Sequence, residues 1–242
     1  MKLSFSTRGW EGYSWDEIGK TAKTVGFAGI ELHGLIDSDW TQDGAPFHRG
    51  NAVRTVRSLF DEGLRLTCLD SVCDLSSGDK EGEQELEACI RLAHDFLIPY
   101  VRVRAQDGSE HGVDNADACV KRMLPLAEER GVTMLVETVG AFSDTALLQS
   151  FLMRFSSDYL AALWDLHHPY FDHGESAETS IKNLGAYVRH VHVKDSALEN
   201  GGRVYCLPGE GELPMGELKR VRDFIDKYHP NAVSNSGDMG DI

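Results

Sequence analysis

The stretch from Asn115 to Thr138, NADACVKRMLPLAEERGVTMLVET, decides the fold because its order of helical pattern, glycine and apolar strand recurs along the chain. Apolar residues recur in its first part at helical spacing, at Ala116, Val120, Leu124 and Ala127. Gly131 then ends the predicted helix at Arg130, since glycine is the common residue just past a helix C-terminus. The apolar run 133–137 that follows predicts a short buried strand, so the stretch is one helix–glycine–strand unit.

Strands of the same kind are predicted at similar intervals, with helical patterns between them. They are Leu3–Ser6, Gly29–His33, Arg65–Leu69, Tyr100–Arg104, Thr133–Glu137, Leu160–Asp165 and Val188–Lys194. Their first residues are 26 to 36 residues apart, a spacing typical of βα units in a parallel sheet. No Pro/Ser-rich linker divides the 242 residues, and one TIM barrel needs about 250. We therefore predict an α/β protein with a (β/α)8 TIM barrel.

The eighth strand of this barrel is the weakest part of the prediction. The sequence from Asn231 to Ile242 is polar and rich in glycine, with few apolar residues to form a buried strand. We therefore assign residues 1–230 to the barrel and interpret residues 231–242 as a polar tail or a truncated strand eight.

Composition excludes several classes of protein. The chain has 24 Lys and Arg against 39 Asp and Glu, so its net charge of −15 argues against a nucleic-acid partner. No stretch approaches the roughly 20 apolar residues that a membrane span needs. The five cysteines contain no CxxC pair, which favours reduced thiols, and the N-terminus has no apolar signal segment. We expect a cytoplasmic protein without a membrane partner.

Acidic and histidine side chains are predicted at the ends of three successive strands. Strand five ends in Glu137, strand six in Asp165 followed by His168, and strand seven carries His192 and Lys194. Functional residues of a parallel barrel lie at these carboxyl ends. Taken alone, a glutamate at a strand end is more often a salt-bridge partner, an HxH pair is more often a rim or core pair, and the Asp165–His168 spacing is weak. Together they favour a site for Mn²⁺, Mg²⁺, Co²⁺ or Zn²⁺. Lys194 and the next residue, an aspartate, are equally consistent with an ion pair at the rim.

Two further side chains are candidates for substrate binding. His33 shares a strand face with Glu31 and points either into a pocket or into the core. Arg102 on strand four either points inward, where it could bind a carboxylate or phosphate, or forms an outward ion pair. Asp70 follows strand three and is a weaker candidate.

Four motifs resemble those of one known superfamily, the xylose isomerase-like TIM barrels, which include sugar phosphate isomerases and epimerases. They are Glu137-Thr138, WDLHHP at 164–169, HVHVKD at 190–195 and LPGEGELP at 207–214. The resemblance covers roughly residues 1–228. It implies that Glu137, Asp165 and His192 bind the metal, that Glu137 also acts as an acid–base group, and that His168 contacts substrate oxygens.

The sequence departs from this family at one position. The family has a fourth ligand, a glutamate near the end of strand eight that also serves as the second acid–base group, whereas no glutamate follows Glu217 here. The chain is then either a fragment or a protein that binds the metal through three side chains and water.

The leading hypothesis is a divalent-metal-dependent isomerase or epimerase that moves a proton alpha to a carbonyl. Its substrate would be a sugar, polyol or keto acid, and a homo-oligomer or a fused partner domain is left open. The alternatives are a metal-dependent dehydratase or lyase of the inosose or dehydroshikimate type, and a degenerate barrel without catalysis. An endonuclease IV-like nuclease is disfavoured because Asp70 and Arg102 occupy strands where that subfamily needs histidines.

Overall fold

The computed structural model describes residues 2–10, 12–36, 38–228 and 233–236. Eight parallel strands form a closed barrel in the order β1-β10-β7-β6-β5-β4-β3-β2, and β8 and β9 form a separate antiparallel hairpin. The strands are β1 Lys2–Ser6, β2 Gly29–His33, β3 Arg65–Asp74, β4 Tyr100–Arg104, β5 Thr133–Glu137, β6 Leu160–Asp165, β7 Val188–Val193, β8 Asp195–Glu199, β9 Gly202–Cys206 and β10 Val233–Ser236. The predicted barrel is confirmed.

Helices follow most of the barrel strands. They are α1 Trp15–Val25, α2 Ala52–Asp61, α3 Lys80–Asp95, α4 Glu110–Arg130, α5 Thr145–Leu152, α6 His167–His173, α7 Ala177–Leu184 and α8 Met215–Tyr228. Helix α4 ends at Gly131 in the left-handed conformation, as predicted, but it begins five residues before the predicted start. The Ser109 hydroxyl accepts a hydrogen bond from the Gly112 amide and fixes that start, a cap that the apolar spacing does not reveal. None of these helices, within the described ranges, is long and apolar enough to cross a membrane.

The eighth barrel position is taken by the four-residue strand β10, inside the segment interpreted as a polar tail or truncated strand. It pairs in parallel with β1 at three positions and with β7 at four. Short as it is, β10 closes the ring between the first and seventh strands of the barrel. The rest of the predicted tail, 237–242, and the residues 229–232 lie outside the described residues.

The inside of the barrel changes from apolar to polar along the strands. Leu135, Ala161 and Leu163 form a small buried cluster, separate from the main core, with Tyr100 packed against it. Nearer the carboxyl ends the inward positions are charged, because side chains two residues apart share a face of a strand. Glu137 therefore lies one inward position beyond Leu135 and is 1% exposed.

The loop after the β8–β9 hairpin is held by Asp195. Its carboxylate accepts hydrogen bonds from the backbone amides of Ser196, Gly209, Gly211 and Leu213, over 2.8 to 3.0 Å. A Cβ at Gly211 would clash with the Asp195 carboxylate, so glycine is required there. The interpretation of Lys194 and Asp195 as a rim ion pair is wrong, because Lys194 instead pairs with Asp165 at 2.9 Å.

We expect Asp195→Asn to lower the free energy of unfolding by about 1–3 kcal/mol, because hydrogen bonds to an ionised acceptor are lost. Burial would raise the pKa of Asp195, but the backbone hydrogen bonds lower it below its usual value. The stabilisation by the ionised Asp195 carboxylate is therefore present above a pH of about 4, and it is lost as the pH falls through the pKa of Asp195 in the folded state. Urea unfolding at pH 7 measures the difference, with Glu210→Gln on the same loop as the control. Equal stability of Asp195→Asn and wild type would contradict this role.

Candidate active site

Three predicted side chains meet at the carboxyl ends of β5, β6 and β7. Glu137, Asp165 and His192 are each buried, and one ligand atom from each lies within 4.8 Å of the others. The β6–β7 register places Asp165 directly opposite His192. The strand alternation read from the sequence therefore brings these three residues together as expected.

The backbone and carboxylate of Asp165 are both fixed by neighbours. The Thr138 hydroxyl donates to the Asp165 carbonyl at 2.9 Å and accepts from its amide at 2.8 Å. The amide of His167 donates to Asp165 Oδ1 at 2.7 Å, while Oδ2 faces the Lys194 ammonium at 2.9 Å. Asp165 thus presents its carboxylate in one orientation, and Thr138, which the sequence placed in a motif without a role, positions it.

The His192 ring lies between two carboxylates. Its Nδ1 is 3.2 Å from Glu137 Oε1, and its Nε2 is 3.0 Å from Glu31 Oε2. Burial alone would lower the pKa of His192, but the charge of Glu31 and the hydrogen bonds to both carboxylates raise it to about 10. The ring is therefore an imidazolium that donates to both partners at neutral pH.

Glu31 on β2 is the functional contact that the sequence reasoning missed. Burial would raise the pKa of Glu31, but the charge of His192 and hydrogen bonds from His190 and His192 hold it well below its usual range. Metal-binding imidazoles commonly donate their second ring N–H to a carboxylate, which fixes the ring. Glu31 is placed to do this for His192. Glu31, His190 and His192 also form a second compact group of donor atoms.

Two cations balance the carboxylates. Arg102 is buried and inward, with its Nε 3.0 Å from Glu137 Oε2 and 3.4 Å from Asp70 Oδ1. Burial would raise the pKa of Glu137, but the charge of Arg102 and the hydrogen bond and charge of His192 lower it. Of the two orientations considered for Arg102, the inward one is therefore observed, and the side chain forms ion pairs there.

His168 extends this charged group toward the surface. The Lys194 ammonium donates to His168 Nε2 at 3.1 Å, and His168 Nδ1 lies 3.2 Å from Asp172 Oδ2. Lys194 thus contacts both Asp165 and His168, two of the residues predicted for the site. Its position just beyond β7 brings an ammonium group to the barrel mouth.

A cavity of 350 Å³ opens at the rim beside β1 and β2. It is lined in part by Thr7, Arg8, Trp10, Trp40 and His33. His33 Nδ1 bonds the Asp70 carboxylate, and the His33 side chain keeps 28% of its surface exposed. His33 therefore points toward a cavity, the pocket alternative of the two that the sequence allowed.

The charge of this group suits a divalent cation. Its four buried carboxylates are Glu31, Asp70, Glu137 and Asp165. Arg102 and Lys194 supply two positive charges, so two negative charges remain once an entering cation has displaced the proton of His192. Two carboxylates and one imidazole are also donors that Mn²⁺, Mg²⁺, Co²⁺ and Zn²⁺ accept. The donor set and its charge therefore fit such an ion at Glu137, Asp165 and His192.

Solved structures of low sequence identity share the fold along nearly the whole chain. The probable 3-DHS dehydratase AsbF of Bacillus anthracis is 19% identical, with a TM-score of 0.79 over 99% of this chain and 93% of its own. An L-ribulose 3-epimerase is 18% identical, with a TM-score of 0.72 over 98% and 82%. Mannonate dehydratase of Streptococcus suis serotype 2 is 16% identical, with a TM-score of 0.70 over 97% and 84%.

The sequence comparisons agree with the motifs. None of the curated protein sequences matches this chain significantly. The family model described as xylose isomerase-like TIM barrel, however, matches residues 20–226. This match spans most of the chain and includes the three strands that carry Glu137, Asp165 and His192. The chain belongs to the xylose isomerase-like TIM-barrel family.

Proposed function

We propose that this protein is a divalent-metal-dependent isomerase or epimerase that moves a proton on the carbon alpha to a carbonyl. The substrate would be a sugar, polyol or keto acid. The observation that carries the proposal is the convergence of Glu137, Asp165 and His192 in a group whose charge leaves room for one divalent cation. The L-ribulose 3-epimerase among the similar structures supports the reaction class.

Glu137, Asp165 and His192 would hold the metal, which when bound supplies a Lewis acid that polarises the substrate carbonyl. The lowered pKa of Glu137 keeps its carboxylate ionised at neutral pH, so it can accept the alpha proton. Arg102 fixes the Oε2 atom of Glu137 and leaves the side chain one orientation. The carboxylate is thus prepared as a base before substrate arrives.

Four side chains would bind the substrate around this base. Lys194 and His168 are donors beside Asp165, His33 lines the rim cavity, and Arg102 lies between Glu137 and Asp70. Hydroxyl and carbonyl oxygens of a small polar substrate suit such donors. This set follows the residues predicted from the sequence.

A dehydratase is the second candidate. Removal of an alpha proton is also the first step when a hydroxyl on the next carbon leaves as water. The 3-DHS dehydratase and the mannonate dehydratase share this fold, which supports that outcome for the same site. The Lys194–His168 pair beside Asp165 could give the leaving hydroxyl its proton. A degenerate barrel without catalysis is the remaining alternative. A metal content near zero would favour it, and retained metal together with turnover would exclude it.

Metal content is the first test of the site. We expect the purified chain, loaded with Mn²⁺ and desalted, to retain about one ion, and Glu137→Gln and His192→Ala to lose it, because each removes a ligand. Elemental analysis measures the content. Glu129→Gln, on the surface of α4, is the matched control and should keep the ion. An ion-free wild type, or variants that keep the ion, would refute the assignment.

Proton release tests the position of His192. Because the ring holds a proton up to a pH of about 10 without metal, binding of Mn²⁺ at pH 8 should expel about one proton per ion. The apparent affinity should therefore rise about tenfold per pH unit between pH 7 and 9. Calorimetry in two buffers of different ionisation enthalpy measures the number of protons released per Mn²⁺ bound.

Glu31→Gln should weaken Mn²⁺ binding about 10–100-fold, because it removes the carboxylate that orients His192. It should also reduce the proton release, since Glu31 is the largest contributor to the raised pKa of His192. Glu62→Gln serves as the control, because Glu62 is exposed and pairs with Lys23 at 3.7 Å. Binding of Mn²⁺ to the wild type without proton release would show that the ion does not displace the proton of His192.

Exchange of the alpha proton tests the reaction. With Mn²⁺ in D₂O, we expect deuterium to enter L-ribulose, mannonate or 3-dehydroshikimate, followed by NMR. Glu137→Gln should slow this exchange by at least 10²-fold, the usual contribution of a general base. An epimer as product identifies the epimerase, and loss of water identifies the dehydratase. Exchange that survives Glu137→Gln would contradict the role of that carboxylate.

A further inference from the structure

His33 and Asp70 form a histidine–carboxylate pair at the barrel mouth. Nδ1 of His33 bonds Asp70 Oδ2, and the Asp70 carboxylate is 1% exposed. The His33 amide donates to the Thr7 hydroxyl at 2.9 Å, which fixes the end of β2. Among the described residues, none takes up Nε2, and the side chain lines the rim cavity. The pair therefore presents one ring nitrogen, oriented by a buried carboxylate, to the rim cavity.

The barrel order places this pair across the mouth from Glu137. Two strands, β4 and β3, separate β5 from β2 in the barrel, and two strands, β6 and β7, separate β5 from β10, the eighth barrel strand. His33 on β2 is therefore as many strands away from Glu137 as a residue on β10 would be. A substrate carbon held between Glu137 and His33 would face a carboxylate on one side and an imidazole on the other.

Resting on the proposed function, we propose that His33 is the second proton-transfer group of this site and acts on the substrate face opposite Glu137. The ligand class is a carbon acid, a ketose or keto acid whose alpha carbon inverts. The role is distinct from substrate binding alone, because His33 exchanges a proton with carbon. Asp70 is a positioning residue that holds the ring and stabilises its imidazolium.

The step balances as follows. The alpha C–H bond breaks, its proton passes to a Glu137 carboxylate oxygen, and its electron pair moves into the carbonyl to give an enolate. A new C–H bond forms on the other face with the Nε2 proton of the His33 imidazolium, and the carbonyl returns. The inverted product leaves with Glu137 protonated and His33 neutral. Solvent then takes one proton and supplies the other, which the 28% exposure of His33 permits.

A purely structural role for His33 predicts different behaviour. A ring that only filled the Asp70 site would be buried and bonded at both nitrogens, as His192 is by Glu31 and Glu137. His33 is instead bonded at one nitrogen and lies at a cavity wall. The comparison with His192, at the same carboxyl end of the barrel, separates a proton-transfer group from a ring held at both nitrogens.

Exchange and inversion can be measured separately in D₂O. With Mn²⁺ and L-ribulose as the probe, His33→Asn should lose net epimerisation by at least 10²-fold. It should still wash the alpha proton out of the face that Glu137 contacts, and it should still retain about one Mn²⁺. Asp70→Asn should reduce epimerisation in the same direction. His33→Ala should recover epimerisation when imidazole is added, which a structural role would not produce.

His48→Asn is the matched control, because His48 forms an exposed pair with Asp43 at 3.1 Å, outside the site. If the wild type epimerises and His33→Asn epimerises equally well, the role of His33 is wrong while the proposed function stands. If His33→Asn loses exchange and inversion together, with metal retained, His33 is not a separate second group. If the wild type exchanges no proton with L-ribulose, mannonate or 3-dehydroshikimate, the proposed function fails and the role of His33 fails with it.

Discussion

The imidazolium of His192 is held between Glu31 and Glu137, and the rest of the barrel mouth depends on this contact. Ionised carboxylates in a buried site are costly unless each has an opposite charge within hydrogen-bond distance. Arg102 and Lys194 meet that requirement for Glu137 and Asp165, and His192 meets it for Glu31. Strands from opposite sides of the barrel are therefore joined through one ring.

Residues whose place follows from their own strand could be predicted from the sequence, whereas contacts between distant strands could not. Glu137, Asp165 and His192 follow from the period of two, because each occupies an inward position at the end of its own strand. The contact between Glu31 and His192 joins β2 to β7 across the barrel, and no local spacing encodes a distance across the barrel. The same reason explains why Asp70 remained a weak candidate until its contacts with His33 and Arg102 were seen.

The ends of the elements were predicted less well, for a related reason. Helix α4 begins where the Ser109 side chain caps it, and β3 runs on to Asp74, beyond the predicted end at Leu69. The eighth strand was judged from its polar composition, yet β10 needs only backbone ladders with β1 and β7 to close the ring. Composition predicts burial well, whereas backbone pairing and capping depend on partners that are distant in the sequence.

The anchoring of the loop at 207–213 has a further consequence. Asp195 holds that loop through backbone amides, and the residue before it supplies the ammonium group that faces Asp165. Farther along the same hairpin, Arg203 lies over the Phe171 ring at 3.6 Å, and Tyr205 packs against His167. The loop and the charge at the mouth are therefore parts of one continuous segment. A sequence change that displaces this loop would also move Lys194, so the conformation of the loop and the ion pair with Asp165 depend on each other.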